Sequence, residues 1–406
     1  MSFQQGLSGL NAASKNLDVI GNNVANANTV GFKASTAQFA DVYAASLTGG
    51  GSSNVGIGTS VTGVAQQFSQ GDLTVTNSPL DVAINGAGFF RLSNNGTITY
   101  SRNGQFTTDA QGYLISSTGQ NVTGYPVNAA GVVTAGTPVN LQVSAADLPP
   151  TATTKTTVGV NLDSRTTAPT APFNMADSTT YSGATTSLPV YDSLGNPHTL
   201  SLYYVKNAAN SWDVYGASDG AQIGTAPIGQ LNFTSSGAID TATTTMPISL
   251  SLPVTSGATA MNISLDLTGT TQFGNVFGVN SMTQDGFAAG QLTGYSISPD
   301  GTITGNYSNG QTRAEGQVAL ANFTNPQGLQ NLGGNQFAET SASGPPLVGA
   351  PKSGNLGALQ SGAVEESNVD LTSELVNMIT AQRVYQANAQ TIKTEDQIMQ
   401  TLVNLR

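Results

Sequence analysis

Residue types that could carry out chemistry are few in this chain. His198 is the only histidine and cysteine is absent, so neither a metal site built on two histidines nor a thiolate site can form. His198 follows Gly195-Asn196-Pro197, a combination that is typical of a turn. We therefore interpret His198 as a turn or surface residue rather than as a catalytic base or a metal ligand.

The paired acids and the paired glycines also favour structural interpretations. Adjacent carboxylates occur at Glu365–Glu366 and Glu395–Asp396, in or near a predicted terminal helix, where solvated acids or charges at a helix N-terminus are expected. Gly86 and Gly88 are similar to part of a phosphate-binding loop, but neither the lysine nor the helix of such a loop follows, so we expect turn glycines. The sequence thus predicts no catalytic residue, no cofactor and no metal site.

The composition argues against further classes of function. Charged residues make up 9% of the 406 residues, and the net charge is −11 with 12 Lys and Arg. Because Lys and Arg do not cluster, the positive surface that binds phosphates is missing, and nucleic-acid binding is not expected. Membrane insertion is not predicted, since no run of about 18 apolar residues occurs. The N-terminal residues lack the pattern of a cleavable signal peptide, so a cytoplasmic address is the default expectation.

Both ends of the chain carry apolar residues at the alternating 4,3 spacing of a heptad repeat. In the N-terminal segment these are Leu7, Leu10, Leu17 and Val24. In the C-terminal segment they are Leu375, Met378, Tyr385, Ile392, Met399 and Val403. This spacing predicts amphipathic helices that pack against partner helices in a coiled-coil-like core.

The heptad residues could instead pack on the β structure of their own chain, as ordinary core helices do. The C-terminal helix would be roughly 55 Å long at about 1.5 Å per residue, so a β domain of ordinary size would leave much of it overhanging. We therefore predict that other copies of the chain cover these stripes.

The long middle of the chain shows a period of two, which is typical of β strands. Leu73 and Val75, and then Val82 and Ile84, alternate with other residues and are separated by turn residues. The predicted fold class is α+β, with long N- and C-terminal helices in a coiled-coil-like core domain and two nested, mainly antiparallel all-β domains.

The predicted boundaries follow these changes of pattern. In chain order they are an N-terminal helix at 1–33, an extended connector at 34–70, the first part of an inner β domain at 71–147, an inserted outer β domain at 148–280, the second part of the inner β domain at 281–362, and a C-terminal helix at 363–406. Gly49–Ser53 is expected to be a flexible joint. Gly31 and Phe32 are predicted to form the helix-to-β joint, with Phe32 either a staple or a plain core residue.

Several longer strings occur in a fixed order along the chain. They are NVANANTVGFK at 23–33, LDVAINGAGFF at 80–90, YSRNGQF at 100–106, and the C-terminal stretch that begins SNVDLTSEL at 367. In these strings the chain resembles the bacterial flagellar rod and hook protein family. Within that family, the length and the inserted central domain favour the hook subunit over the shorter rod subunits, and the central domain carries the weakest match.

The resemblance implies a structural protein rather than an enzyme. It implies a self-assembling hook subunit that forms a flexible tubular polymer and acts as a universal joint between motor and filament. The implied partners are other copies of the chain, the hook cap protein, the distal rod protein, the hook–filament junction protein and the flagellar export apparatus. Export without a cleavable signal would place the chain outside the cell, next to the basal body. A distal rod subunit is the alternative inside the family, and an exported β-rich adhesin or carbohydrate-active protein is the alternative outside it.

Overall fold

The computed structural model describes residues 2–42, 56–128, 131–134, 136–144, 146–254 and 257–404 of the chain. The predicted flexible joint at Gly49–Ser53 lies outside the described residues. Within the described part the fold is mostly β, with helix α1 at Ser2–Ala25 and helix α2 at Leu371–Asn404. The prediction of a long helix at each end with β structure between them is therefore confirmed, whereas coiled-coil packing and nesting of the β domains stay predictions.

The β strands fall into three successive runs along the chain. The first run is β1 (Ser35–Val42), β2 (Gly58–Gln66), β3 (Leu73–Val75), β4 (Val82–Asn85), β5 (Phe89–Asn94), β6 (Thr97–Ser101), β7 (Phe106–Thr108), β8 (Leu114–Ser116), β9 (Asn121–Pro126) and β10 (Val139–Asn140). The second run is β11 (Lys155–Asp163), β12 (Thr185–Tyr191), β13 (Pro197–Ala208), β14 (Ser211–Ser218), β15 (Ala221–Gln222), β16 (Gly229–Asn232), β17 (Ile248–Leu252), β18 (Met261–Asp266), β19 (Thr271–Phe273) and β20 (Gly278–Gln284). The third run is β21 (Leu292–Ile297), β22 (Thr302–Tyr307), β23 (Thr312–Val318), β24 (Leu320–Asn322), β25 (Gln330–Gly333), β26 (Gln336–Ala338), β27 (Leu347–Gly349), β28 (Ala358–Ser361) and β29 (Ala363–Glu365).

α1 ends at Ala25, inside the segment predicted at 1–33 and within the asparagine-rich stretch at 22–28. The side chain of Asn26 donates from Nδ2 to the Asn22 carbonyl oxygen at 2.9 Å and to Asn22 Oδ1 at 2.8 Å. Asparagine side chains that bond nearby backbone compete with helical hydrogen bonds and so favour a helix end. Residues 26–31 are turns, and irregular chain then leads into β1.

α2 begins at Leu371, inside the segment predicted at 363–406, and Asp370 caps its first turn. Asp370 Oδ1 accepts hydrogen bonds from Thr372 N at 2.9 Å and from Ser373 N at 3.3 Å, which satisfies amides that have no partner inside the helix. These bonds lower the pKa of Asp370. The residues before the cap form β29 instead of a helical turn.

Two compact units divide the chain. Unit 1 comprises Met1–Ala145, Gly294–Asn306 and Thr312–Arg406, and unit 2 comprises Ala146–Thr293 and Tyr307–Gln311. Both helices belong to unit 1, and the second run of strands belongs to unit 2.

Unit 2 is a β sandwich. One sheet has the order β17-β18-β11-β19, with β20 also paired to β11, and the other has the order β12-β13-β14-β15, with β16 paired to β14. Side chains alternate between the faces of a strand, and Leu200, Leu202 and Tyr204 on β13 are accordingly buried. They share one apolar core with Val158 and Val160 on β11, so the core lies between the two sheets.

Unit 1 contains a large sheet with a core on each face. Its main path within the described residues runs β21-β22-β23-β9-β5-β6-β26-β25. Adjacent residues of β5 point to opposite faces, so Phe90 joins a core with Val82 and Ile84, whereas Phe89 joins a separate aromatic core with Phe337. The rings of Phe89 and Phe337 meet edge to face, with their centroids 6.0 Å apart.

Candidate assembly interface: the terminal helices and their joint

α1 and α2 lie antiparallel and approach each other closely. A Cβ atom on Gly6 would lie 3.1 Å from Ile392 Cγ1. Further along α1, Asn23 Nδ2 donates to Glu374 Oε1 at 3.4 Å. Residue numbers therefore rise along α1 as they fall along α2. The backbones come this close because the α1 residue at the contact is glycine, which has no side chain to intervene.

The contact between the helices is made by small residues, which the predicted heptad pattern of large apolar residues does not include. Gly6, Gly9 and Ala13 follow a 3,4 spacing on α1, and both Ala13 and Ala381 on α2 are buried. A Cβ atom on Gly9 would lie 2.8 Å from Asn388 Oδ1, so a larger residue there would displace that side chain. The signal is present in the sequence, but a search for large apolar residues at helical spacing passes over glycine and alanine.

The predicted heptad residues lie mostly beside this contact rather than in it. Ile392 contacts Gly6, and Leu10, Leu17, Val24 and Met378 are half-buried. The remaining predicted residues are exposed, with exposed fractions of 44% for Leu7, 45% for Leu375, 38% for Tyr385, 60% for Met399 and 71% for Val403. The heptad stripes therefore stay largely open to solvent in the single chain.

On α1, the heptad stripe points away from the β1–β2 hairpin. Ser8 faces that hairpin, because its Oγ accepts a hydrogen bond from Thr59 N at 3.3 Å. Successive residues of an α-helix are rotated by roughly 100° about its axis. Gly9 therefore faces α2, and Leu10 and Leu17 lie on the side of α1 opposite Ser8.

On α2, the order around the helix is the same. Val384 lies on the hairpin side of α2, and Ala381 faces α1. At roughly 100° per residue, Met378 and Tyr385 lie beyond Ala381, on the side turned away from the hairpin. Because the helices are antiparallel, the two stripes fall on the same side of the helical pair. We call this surface the open apolar face, formed by Leu7, Leu10, Leu17, Val24, Leu375, Met378, Tyr385, Met399 and Val403.

Gly31 and Phe32 lie at the joint between α1 and the β structure of unit 1. Gly31 has a φ of +72°, and a Cβ atom there would lie 2.6 Å from Asn103 N. The amide of Gly31 donates to the carbonyl oxygen of Glu365 at 2.8 Å. The backbone conformation and the close approach both require glycine. Phe32 is buried, which is compatible with either of its predicted roles.

A buried charge cluster, which the sequence pattern does not indicate, closes the joint. Lys33 Nζ lies 2.6 Å from Glu365 Oε1, and Arg102 Nε lies 3.6 Å from Glu365 Oε2, with the Lys33 and Glu365 side chains 0% exposed. Lys33 Nζ also donates to Ser69 O at 2.6 Å, and Gly71 N donates to Glu365 Oε1 at 3.0 Å. These contacts tie the chain that leaves α1 to the strand that precedes α2.

The prediction that Glu365 is a solvated acid or a helix N-terminal charge is wrong. Its carboxylate is buried in β29 between two cations, which compensate for the loss of water. Burial lowers the pKa of Lys33, an effect that the Glu365 carboxylate opposes, and burial likewise lowers the pKa of Arg102. Glu366 is exposed as expected. The two acids look alike in the sequence, but consecutive side chains on extended backbone point to opposite sides.

Asn23 and Asn368 hold the chain that leaves α1. Asn23 Oδ1 accepts from Ser35 N at 2.9 Å, and Asn23 Nδ2 donates to Ser35 O at 2.8 Å. Asn368 Oδ1 accepts from Ala34 N at 2.7 Å, and its Nδ2 donates to Gln67 O at 2.7 Å. Each side-chain amide thus accepts from a backbone N–H and donates to a backbone carbonyl oxygen, as a neighbouring strand would. These asparagines, in the NVANANTVGFK and SNVDL strings, therefore hold the chain in place after α1.

His198 is the second residue of β13 in unit 2 and is more enclosed than a turn or surface residue. Its Nδ1 lies 2.6 Å from Asp219 Oδ2 and its Nε2 lies 3.4 Å from Asp192 Oδ2, with the side chain 13% exposed. The hydrogen bond to Asp219 raises the pKa of His198. Gly216–Gly220 spells a G-x-S-x-G string, but Asp219 and Gly220 have φ of 48° and 80° in a hairpin turn. Both imidazole nitrogens contact carboxylates, so the geometry is that of an ion pair and not of a nucleophile and its base.

The described residues offer little else for chemistry. Among them, no group of three or more His, Asp or Glu side chains could hold a metal ion. In the same part of the chain, no helix is long and apolar enough to cross a membrane. The features that distinguish this molecule are therefore the helical pair, its open apolar face and the joint.

Comparison with known protein families gives matches at both ends and in the middle. The family "Flagella basal body rod protein" matches residues 3–33, and "Flagellar hook protein FlgE/F/G D1 domain" matches residues 83–161. "Flagellar basal body protein FlaE D2 domain" matches residues 161–287, and "Flagellar basal body rod FlgEFG protein C-terminal" matches residues 360–405. The matched segments include both helices and strands of both units.

Relatives that match over their full length are hook proteins. The chain is 44% identical over 423 residues to the flagellar hook protein FlgE of Salmonella typhimurium strain LT2, with 100% of both chains covered. It is 44% identical over 416 residues to FlgE of Escherichia coli strain K12, again with 100% of both covered. The crystal structure of Helicobacter pylori flagellar hook protein FlgE2 has a similar fold over 71% of this chain and 99% of its own, at a TM-score of 0.51 and 14% identity. These matches favour the hook interpretation over a distal rod subunit or an adhesin, and at such identity over its whole length the chain belongs to the flagellar hook protein FlgE family.

Proposed function

We propose that copies of this chain assemble through their terminal helices into the flexible tube of the flagellar hook, which acts as a universal joint between motor and filament. Membership in the FlgE family makes the chain a structural component of the bacterial flagellum, in a family whose members are not enzymes. What the proposal adds is the surface through which copies associate.

The open apolar face carries this proposal. Its exposed members include Leu7 at 44% on α1, a helix of 24 residues, and Val403 at 71% on α2, a helix of 34 residues. Moving a large apolar side chain from water into a protein interior contributes about 1.5–3 kcal/mol. A face with several such side chains favours association over exposure to water. In the assembly, these heptad residues would form the predicted coiled-coil-like core.

A tube results if each copy uses one surface to contact the next copy and a different surface to contact the previous one. A heterologous contact of this kind does not close into a dimer, and when its rotation does not close a ring it generates a helical filament. Each copy that joins the tube buries the same apolar side chains. Truncation of a large member of the face to Ala should cost roughly 2–5 kcal/mol wherever assembly buries it fully.

The low charge of the chain supports the bending that a universal joint requires. Charged residues are 9% of the total, and Gly, at 47 residues, is abundant. Hydroxyl and amide groups can exchange hydrogen-bond partners with each other and with water at little net cost, whereas ion pairs and dry apolar patches resist sliding. Replacing exposed Ser and Thr of the predicted outer domain with apolar residues should stiffen single hooks in bending measurements. Unchanged stiffness would contradict this part of the proposal.

We further propose that the chain makes the contacts with other flagellar proteins, and takes the export route, that the family resemblance implies. At the ends of the tube, the chain would contact the hook cap protein, the distal rod protein and the hook–filament junction protein. It would reach the outside of the cell through the flagellar export apparatus, without a cleavable signal peptide. The family membership supports the flagellar location of these contacts.

Sedimentation of the purified chain at rising concentration tests the proposal. Deleting residues 371–406 removes α2 and should abolish the polymer that pellets. Leu375→Asp and Tyr385→Asp should each raise the concentration needed for polymer formation at least about tenfold, which corresponds to about 1.4 kcal/mol.

The matched control is Gln390→Asp, which adds the same charge at an exposed α2 position outside the open apolar face. It should polymerise like the unmodified chain. Electron microscopy should show tubes for the unmodified chain and for this control. Normal polymerisation after removal of α2, or after both Asp substitutions on the open apolar face, would show that copies associate elsewhere.

A further inference from the structure

A groove lies on the side of the helical pair opposite the open apolar face. It is bounded by α1, α2 and the β1–β2 hairpin and has a volume of about 630 Å³. We call it the hairpin groove. Its apolar walls include Ala12, Ala13, Ala37, Phe39, Ala381 and Val384.

We propose that the hairpin groove of one copy receives the open apolar face of the next copy. This inference rests on the proposed self-assembly and adds which two surfaces meet. Contact between two open apolar faces would be isologous, would close as a dimer and would leave every hairpin groove empty. Contact between a face and a groove is heterologous, so it can continue from copy to copy.

The two surfaces are complementary in side-chain size. The open apolar face presents large side chains such as Leu10, Leu17 and Tyr385, whereas alanines from all three elements line the hairpin groove. Its volume of about 630 Å³ falls within the range of roughly 300–1,000 Å³ that is typical of ligand pockets, so several side chains of a helix can enter. Large side chains from one face of a helix that enter a groove are a recurring mode of protein recognition.

A polar atom in the groove points to the same conclusion. Glu374 lines the groove, and its Oε1 accepts a hydrogen bond from Asn23 Nδ2 at 3.4 Å. Its other oxygen, Oε2, is buried and has no hydrogen-bond partner among the described residues. A buried oxygen without a partner is costly, so a donor that arrives with the next copy would stabilise the contact.

Disulfide cross-linking tests the proposal cleanly, because the chain contains no cysteine of its own. Copies with Ala37→Cys on the groove wall are mixed with larger, tagged copies that carry one cysteine on the open apolar face. That cysteine is placed in turn at Leu10, Leu17, Tyr385 or Met399, so that different axial registers are sampled. After polymerisation and mild oxidation, at least one mixture should give a dimer that contains both variants.

The cross-linking controls separate failure of this inference from failure of the proposed function. Asn11→Cys, at an exposed polar position of α1, should give no such dimer. Tubes without any cross-link from Ala37→Cys to the open apolar face would overturn the face-to-groove contact and leave self-assembly standing. Cross-links between two copies of the same open-face variant would show that like faces meet and would also overturn it. Failure of the unmodified chain to polymerise would instead contradict the proposed function.

Filling the groove provides an independent test. Ala37→Trp places a large ring in the hairpin groove, and Gln38→Trp places the same ring at the exposed neighbouring position on the opposite face of β1. Ala37→Trp should raise the concentration needed for polymerisation at least about tenfold, while Gln38→Trp should change it by less than about twofold. Thr380→Trp, on the α2 wall, replaces Ala37→Trp if that variant does not fold. A folded variant with a filled groove that polymerises normally would overturn the proposal.

Discussion

Lys33 and Glu365 are 332 residues apart in the sequence, yet their charged atoms lie 2.6 Å apart with both side chains fully buried. Lys33 follows α1 and Glu365 precedes α2, so one ion pair joins the two places where the helical ends leave the β structure of unit 1. Arg102 adds a second cation from the end of β6. Each of these buried charges would destabilise the fold strongly if the opposite charge beside it were missing. The joint is therefore complete only when both ends of the chain are in place.

Glu365→Gln should lower the free energy of unfolding by about 3–5 kcal/mol, because Lys33 and Arg102 would stay buried without their counter-charge. Urea denaturation of the dilute chain, followed by circular dichroism, measures this change. Glu366→Gln alters the exposed neighbour and should stay within about 0.5 kcal/mol of the unmodified chain. Equally small effects of the two substitutions would mean that the cluster does not stabilise the joint.

Gly31→Ala and Gly21→Ala should have opposite effects on stability. At Gly31 the φ of +72° and the 2.6 Å approach to Asn103 N oppose a side chain, so a loss of at least about 1–2 kcal/mol is expected. At Gly21, inside α1, an added Cβ would meet no atom of the described residues within 4 Å, and the higher helix propensity of Ala should stabilise the chain by up to about 1 kcal/mol. Thermal unfolding of both variants checks the signs, and a gain in stability for Gly31→Ala would contradict the required left-handed conformation.

Asn23→Ala should destabilise the start of β1 by about 1–3 kcal/mol, because the amide and carbonyl groups of Ser35 would lose their partner in a buried site. The exchange of the Ser35 amide hydrogen with solvent should become faster, which hydrogen-exchange mass spectrometry can follow. Asn11→Ala, at an exposed position of α1, is the control and should change neither quantity appreciably. Unaltered protection of Ser35 in Asn23→Ala would refute the role given to this side chain.

The stability contributed by His198 should depend on pH. Its hydrogen bond with Asp219 raises the pKa of His198 and lowers the pKa of Asp219. For the raised group, the contribution is fully present below the unfolded value of about 6.5 and is lost as the pH rises through the folded value. For the lowered group, it is present above about 3.9 and is lost as the pH falls through the folded value.

Melting temperatures of the unmodified chain and of His198→Gln, compared from pH 3 to pH 9, measure this dependence. The difference between them should be largest at mildly acidic pH and should shrink on both sides. A difference that does not vary with pH would show that the ion pair contributes nothing to folding.

Local patterns account for the elements at both ends of the chain. The heptad spacing of Leu7, Leu10 and Leu17 predicts α1, which the structure contains at Ser2–Ala25. The segments predicted at 1–33 and 363–406 contain α1 and α2. The role of the open apolar face in assembly stays a prediction.

Spacing over a few neighbouring residues is enough to predict a helix at each end, β structure between them and the apolar residues of the helices. The three-dimensional packing of the chain places Gly6 against Ile392, Glu365 against Lys33, and both heptad stripes on one side of the helical pair. Such relationships join residues hundreds of positions apart. Which of these distant residues meet depends on close packing and on the pairing of buried charges in the folded chain, so a local pattern of residues does not predict it.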